Sequence, residues 1–328
     1  MLKRITSIGV LLAALGFFSQ PLWASTTNEQ QEFIDMMVSK HQFDRDQVTA
    51  ILQQAERNED ILAAIARPWE AKPWYQYYPI FLTEKRLQAG LKFWQQHQDT
   101  LARAEQEFGV PAQIIVAIIG VETFYGEYLG KYKVLDALYT LGFHYPPRAK
   151  FFRSELEQFL ILTREESLPL HELHGSYAGA MGYGQFISSS YRHYAVDFDG
   201  DNVRDLLRNP VDAIGSVANY FARHGWQSQQ PVAVQLGSDD YYQQWLSSGL
   251  KPATTVAELQ AAGLPVPASA ELAETIPAKV FAFELEQGHD YWLGLHNFYV
   301  ITRYNHSPLY AMAVYQFSQQ LAAAYHSE

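Results

Sequence analysis

The sequence contains no cysteine. Disulfides, thiolate catalysis and cysteine-ligated zinc are thereby excluded, as is a lipid attached through a cysteine behind an export signal. Long apolar runs are scarce as well. The run Ile5 to Phe18 falls short of the ~20 residues a bilayer span requires, and nothing later in the chain approaches that length. Positive charge is also in deficit: 24 Lys and Arg against 35 Asp and Glu leave a net charge of −11. That balance is a poor fit to nonspecific nucleic-acid binding.

What is present is a globular composition, 48% hydrophobic and 18% charged over 328 residues. This length suits one large domain or two to three smaller ones. The 21 tyrosines are unusual; Tyr concentrates where a surface must be apolar and hydrogen-bonding at once, as in a carbohydrate groove or an ordinary core. Residues 1–24 read as a secretory signal, with Lys3 and Arg4 before the apolar run and a cleavage point around Ala24. An uncleaved anchor is the alternative. Removal takes the net charge from −11 to −13 and gives the expectation of a soluble, periplasmic mature chain.

The chain is organised around Ile114-Ile-Val-Ala-Ile-Ile-Gly-Val-Glu122-Thr-Phe-Tyr-Gly126. Its body is apolar all round, the pattern of a helix buried on every side. Glu122 sits near its C-terminal end, where desolvation would favour the protonated form of a general acid. A solvated helix-end glutamate is the competing reading.

In chain order, residues 25–110 read as an N-terminal helical region. Helices are predicted over Gln30–Lys40 and Arg45–Arg57, the second capped by Asp44, with one long helix over Thr83–Phe108. The loop from Pro68 to Pro79 is rich in aromatics, suited either to stacking on sugar rings or to anchoring in the core. Residues 111–229 carry the Glu122 helix, begun at Pro111, and further helices over Leu135–Leu141, Phe151–Arg164 and Val211–His224. The stretch Gly175-Ser-Tyr-Ala-Gly-Ala-Met-Gly-Tyr-Gly-Gln-Phe186 is too glycine-rich for regular helix. It allows close backbone approach to a ligand, offers Ser176, Tyr183 and Gln185, and lacks the spacing of a phosphate loop. Residues 230–293 alternate like strands around a short helix near Val256–Ala262, and residues 294–328 return to helix. The fold class is mainly α with a small β-containing insert.

Asp197, Asp199, Asp201 and Asp205 stand at positions 1, 3, 5 and 9 of an EF-hand-like loop, with the Val203 carbonyl at position 7. Oxygen ligands at that spacing suit Ca²⁺. Asn202 replaces the usual glycine, a residue that tolerates left-handed φ. Arg208 occupies the twelfth position, so Asp212 would have to close the site. An Asx-turn loop without metal is the alternative.

Gly120-Val-Glu-Thr-Phe-Tyr-Gly126, Ser176 to Phe186 and Pro210-Val-Asp-Ala-Ile-Gly-Ser-Val-Ala-Asn-Tyr-Phe221 together resemble the membrane-bound lytic murein transglycosylase B family. The resemblance spans essentially the mature chain. It implies a lysozyme-like α+β catalytic core and cleavage of the MurNAc–GlcNAc β-1,4 bond of peptidoglycan, leaving 1,6-anhydromuramic acid. Glu122 then matches the single acid/base. Ser176, Gln185, Tyr220, Tyr304, Asn305, Tyr310, Tyr77 and Arg148 match substrate-contacting positions. Asp197, Asp199, Asp201, Val203 and Asp212 match a structural Ca²⁺ loop. No organic cofactor is implied, and lipid anchoring does not carry over without the cysteine.

Candidate partners are peptidoglycan glycan strands and, beyond them, cell-wall synthesis proteins. A muramidase that admits water is the nearest alternative activity. A catalytically silent peptidoglycan-binding scaffold is the alternative from another class, and Glu122 argues against it, since a binder has no need of a near-buried acid.

Overall fold

The computed structural model describes residues 27–67 and 72–327, so the signal segment and Pro68 to Ala71 of the aromatic loop lie outside the described residues. The first helices are α1 (Asn28–His41), α2 (Arg45–Gln54), α3 (Glu59–Ile65) and α4 (Trp74–Tyr77). Thr27 and Gln30 form a capping box on α1, and Asp44 caps α2 by accepting from the Gln47 N–H at 2.9 Å.

The single helix expected over Thr83–Phe108 is two, α5 (Glu84–Gln96) and α6 (Gln98–Phe108). They break at His97 (φ −118°, ψ 25°), whose ring folds back to 4.6 Å from that of Phe93. The break has a packing reason. Trp94 on α5 stacks on Tyr325 at 4.3 Å, whereas the buried Leu101 and Ala104 of α6 lie on a helix that packs against α11 (Pro210–Arg223). One straight amphipathic face cannot serve both neighbours.

Helix α7 (Ala112–Thr123) is the centre of the molecule. Residues 114–121 are all buried, and α7 packs on α5, α6, α11 and α14 (Pro308–Tyr325). Pro111 stands at its N-cap, one residue before the expected first-turn position. Between α7 and α11 run the two-residue strand β1 (Tyr132–Lys133), α8 (Val134–His144), α9 (Ala149–Glu165), its partner strand β2 (His174–Gly175) and α10 (Ser188–Tyr194). Helix α10 escaped the sequence reading because serine is a modest helix former. Tertiary contacts support it: Glu155 Oε2 accepts from the Ser189 N–H at 2.9 Å, and the buried Tyr191 donates to the Arg204 carbonyl at 2.5 Å.

The insert is one antiparallel sheet of β3 (Ala233–Gly237), β4 (Thr254–Thr255), β5 (Pro277–Glu284) and β6 (His289–Leu295), in the order β3-β6-β5-β4, with α12 (Val256–Ala261) packed on it. Strand alternation divides its two faces. Val280, Tyr291 and Leu293 join a small core under Val256 and Leu259. Phe281 and Phe283 point the other way into the main core, reaching Phe298 and Trp74 at 4.9 and 5.4 Å. The chain closes with α13 (His296–Tyr304) and α14. Among the described residues no single helix is long and apolar enough to cross a membrane.

Candidate active site

Glu122 is the last residue but one of α7, half-buried between the buried Val121 and Thr123. The helix ends there because Phe124 (φ 52°) and Tyr125 (φ 62°) are both left-handed, an uncommon pairing for non-glycine residues. Two anchors hold this turn. Thr123 Oγ1 lies 2.9 Å from the Tyr183 carbonyl and accepts from the Gly126 N–H at 3.1 Å. The Tyr125 ring is wedged between α5 and α7, where a Cβ on Gly120 would run into its hydroxyl. That hydroxyl is buried without a hydrogen-bond partner, and burial pushes its pKa up out of range. Sequence reading missed this wedge; the glycines at positions 90 and 120, each facing the same hydroxyl, were its trace.

Tyr310, 3% exposed near the start of α14, donates to Glu122 Oε1 at 2.5 Å. Tyr304 lies nearly parallel to it, with 5° between the planes and 6.5 Å between centres, and donates to the Gly184 carbonyl at 2.6 Å. Burial first, and then the charge of Glu122, pushes both phenols well above their ordinary pKa, so both are protonated donors. Among the described residues, Glu122 is the carboxylate that acts on both phenols.

The glycine-rich loop is irregular, as its composition requires. Ser176 Oγ accepts the N–H groups of Ala178 and Ala180 at 3.2 and 3.1 Å, and Met181 and Phe186 close a one-pair bridge. Gly182 (φ 71°) passes so close to the Leu206 carbonyl that a Cβ has no room. Gln185, itself left-handed at φ 49°, donates to the Gly182 carbonyl at 3.0 Å.

Arg148, Gln185, Tyr220, Tyr304 and Asn305 line one cavity of about 500 Å³. Tyr220 donates to the Arg303 carbonyl at 2.5 Å, and its ring meets Tyr304 at 4.8 Å. Tyr304 thus joins this cavity to the Tyr310–Glu122 pair. Ser176 is not on the cavity wall, and its hydroxyl oxygen already serves the loop. Tyr77 is 2% exposed, tilted against Phe81 at 5.1 Å, and close enough to Tyr310 to act on it electrostatically. Its ring is therefore almost wholly enclosed, and it is not among the residues that line this cavity. Arg303 lines the same cavity and was not singled out from the sequence.

The acidic loop brings together Asp197, Asp199 and Asp212, with one carboxylate oxygen of each within 4.8 Å of the others. Asn202 adopts φ 71°, the left-handed turn its position requires. Asp212, buried in the first turn of α11, accepts N–H groups from Phe198 at 2.7 Å and Asp205 at 2.8 Å. Burial lifts its carboxyl above the usual range, and the neighbouring Asp199 and Asp197 add to this. Three converging carboxylates, one of them buried, fit a hard cation. Asp201 and Val203 share the loop, but Asp201 is outside that trio and its carboxylate accepts from the Val203 N–H at 2.8 Å. Asp205 caps the next turn through the N–H groups of Leu207 and Arg208.

Residues 25–319 match the Transglycosylase SLT domain family. The chain is 47% identical over 312 residues to the membrane-bound lytic murein transglycosylase B of Escherichia coli, covering 92% of this chain and 84% of that protein. Its fold superposes on the soluble lytic transglycosylase SltB1 of Pseudomonas aeruginosa with a TM-score of 0.84 and 47% identity, covering 90% of this chain and 99% of that one. The Escherichia coli lytic transglycosylase Slt35 in complex with calcium gives a TM-score of 0.81 at 47% identity, covering 90% and 93%. The chain belongs to the Transglycosylase SLT domain family and, within it, to the lytic murein transglycosylases.

Proposed function

We propose that Glu122 alone serves as acid and then base in cleaving the MurNAc–GlcNAc bond of murein. As acid, Glu122 protonates the glycosidic oxygen, and the bond from that oxygen to C1 of the muramyl ring breaks. As base, it takes the proton of the C6 hydroxyl while O6 bonds to C1, closing the 1,6-anhydro ring. No water is consumed. The observation that carries this reading is the Tyr310–Glu122 hydrogen bond at 2.5 Å, which fixes the carboxyl group beside an aromatic and amide-lined cavity with no carboxylate on its wall. A pair of carboxylates is what hydrolytic glycosidases use, and among the described residues no second carboxylate lines this cavity. Gln185, Tyr220, Tyr304, Asn305 and Arg148 hold the sugar, and Ser176 shapes the loop that carries Gln185.

Asp197, Asp199 and Asp212 bind a structural Ca²⁺, with Asp201 and the Val203 carbonyl as further ligands; the calcium complex of Slt35 supports this assignment. The site of action is the exported compartment, where murein lies. Glu122→Gln tests the assignment. Release of muropeptides from purified sacculi should fall by about 10³-fold or more with the melting temperature retained, and a variant that still releases them contradicts it.

A further inference from the structure

The cavity beside the Tyr310–Glu122 pair carries two guanidinium groups and no carboxylate on its wall. Arg148 lies over Phe151 and Phe152, 4.5 and 5.1 Å from the ring centres. Stacking occupies the faces of a guanidinium and leaves its in-plane N–H donors for other partners. Arg303 reaches the same cavity from the last turn of α13, and among the described residues the hydrogen bond given to it is to its backbone carbonyl, from Tyr220. Neither arginine takes part in an ion pair among the described residues, although Arg45, Arg57, Arg192 and Arg204 all do.

In a chain of net charge −11, two unpaired arginines on one acid-free wall form a local field of the opposite sign. A guanidinium is matched in shape to a carboxylate, which it grips with two parallel hydrogen bonds. The murein strand supplies that group in two forms: the carboxylates of the stem peptide, or the lactyl carboxylate of the muramyl ring once the stem has been removed. We infer that Arg303, together with Arg148, forms a carboxylate receptor that ranks glycan strands by their muramyl substituent. The inference rests on the murein-cleaving reading above.

The test compares the wild type with Arg303→Gln on three strands of one glycan. The first bears stem peptides, the second has been stripped by an amidase and keeps the lactyl carboxylate, and the third is stripped with that carboxyl converted to a methylamide. The readout is the kcat/KM of each charged strand relative to the amide strand. The wild type should prefer a charged strand, Arg303→Gln should lower that preference by about ten-fold, and Arg303→Lys should restore part of it. A preference lost on the stem-bearing strand alone assigns the receptor to the stem; one lost on the stripped strand as well assigns it to the lactyl group. A wild type that cleaves all three strands equally overturns the inference and leaves the murein reading standing, whether or not the variant folds. A folded Arg303→Gln with an unchanged preference also overturns it. A wild type that cleaves none of them overturns both.

Discussion

Tyr310 and Glu122 are 188 positions apart in sequence, and the phenol of one donates to the carboxyl of the other at 2.5 Å. The contact joins the start of α14 to the end of α7, two helices that pack along each other at the centre of the molecule. Orientation of the acid is therefore built into the core, where side chains have little freedom.

Tyr310→Phe keeps the ring and removes the donor. We expect kcat to fall by about ten- to a hundred-fold, since hydrogen bonds to charged groups contribute about 1.5–3 kcal/mol. The stack on Tyr304 should survive. Initial rates on purified glycan strands, set beside thermal melts, separate the catalytic loss from any loss of fold.

The Tyr125 hydroxyl is buried without a partner, and such a group costs about 1–3 kcal/mol. Tyr125→Phe should leave the melting temperature unchanged or raise it. Gly120→Ala should destabilise strongly, because its Cβ meets that same hydroxyl. The double variant should recover part of the loss, a coupling that a thermodynamic cycle over the four proteins measures.

Calcium should raise the melting temperature and a chelator should lower it. At a hundred times the dissociation constant the stabilisation is about 2.7 kcal/mol. Asp212→Asn removes the buried member of the trio and should abolish this dependence. A melting temperature indifferent to calcium in the wild type would contradict a bound structural ion.

Glu165 accepts from Arg192 at 2.8 and 2.9 Å, and this pairing holds its carboxyl below the ordinary value against an opposing effect of burial. A carboxyl depressed on folding stabilises the protein above its unfolded pKa and loses that contribution as pH falls through the folded one. Glu165→Gln should therefore flatten the acid side of the melting temperature against pH, and should leave its slope near neutrality unchanged.

Local signals carried much of this architecture. Helix α7 was legible because eight consecutive apolar or glycine residues admit only a buried element, and the acidic loop because aspartates recur at alternate positions. Asn202 supplied the left-handed turn its position called for. What escaped was decided by distant partners. The break at His97 depends on α11 and α14, and helix α10 on Glu155 and Arg204. Arg303 had no local signature, because its place on the cavity wall is set by the packing of α13 beside Tyr220.

The most direct test of the central claim is the mass of muropeptides released from purified sacculi in heavy-oxygen water. If the muramyl O6 is the nucleophile, every new end is an anhydro form, one water lighter than a reducing end and free of the heavy isotope. Reducing ends that carry one heavy oxygen would show that water enters the site, and would contradict the account.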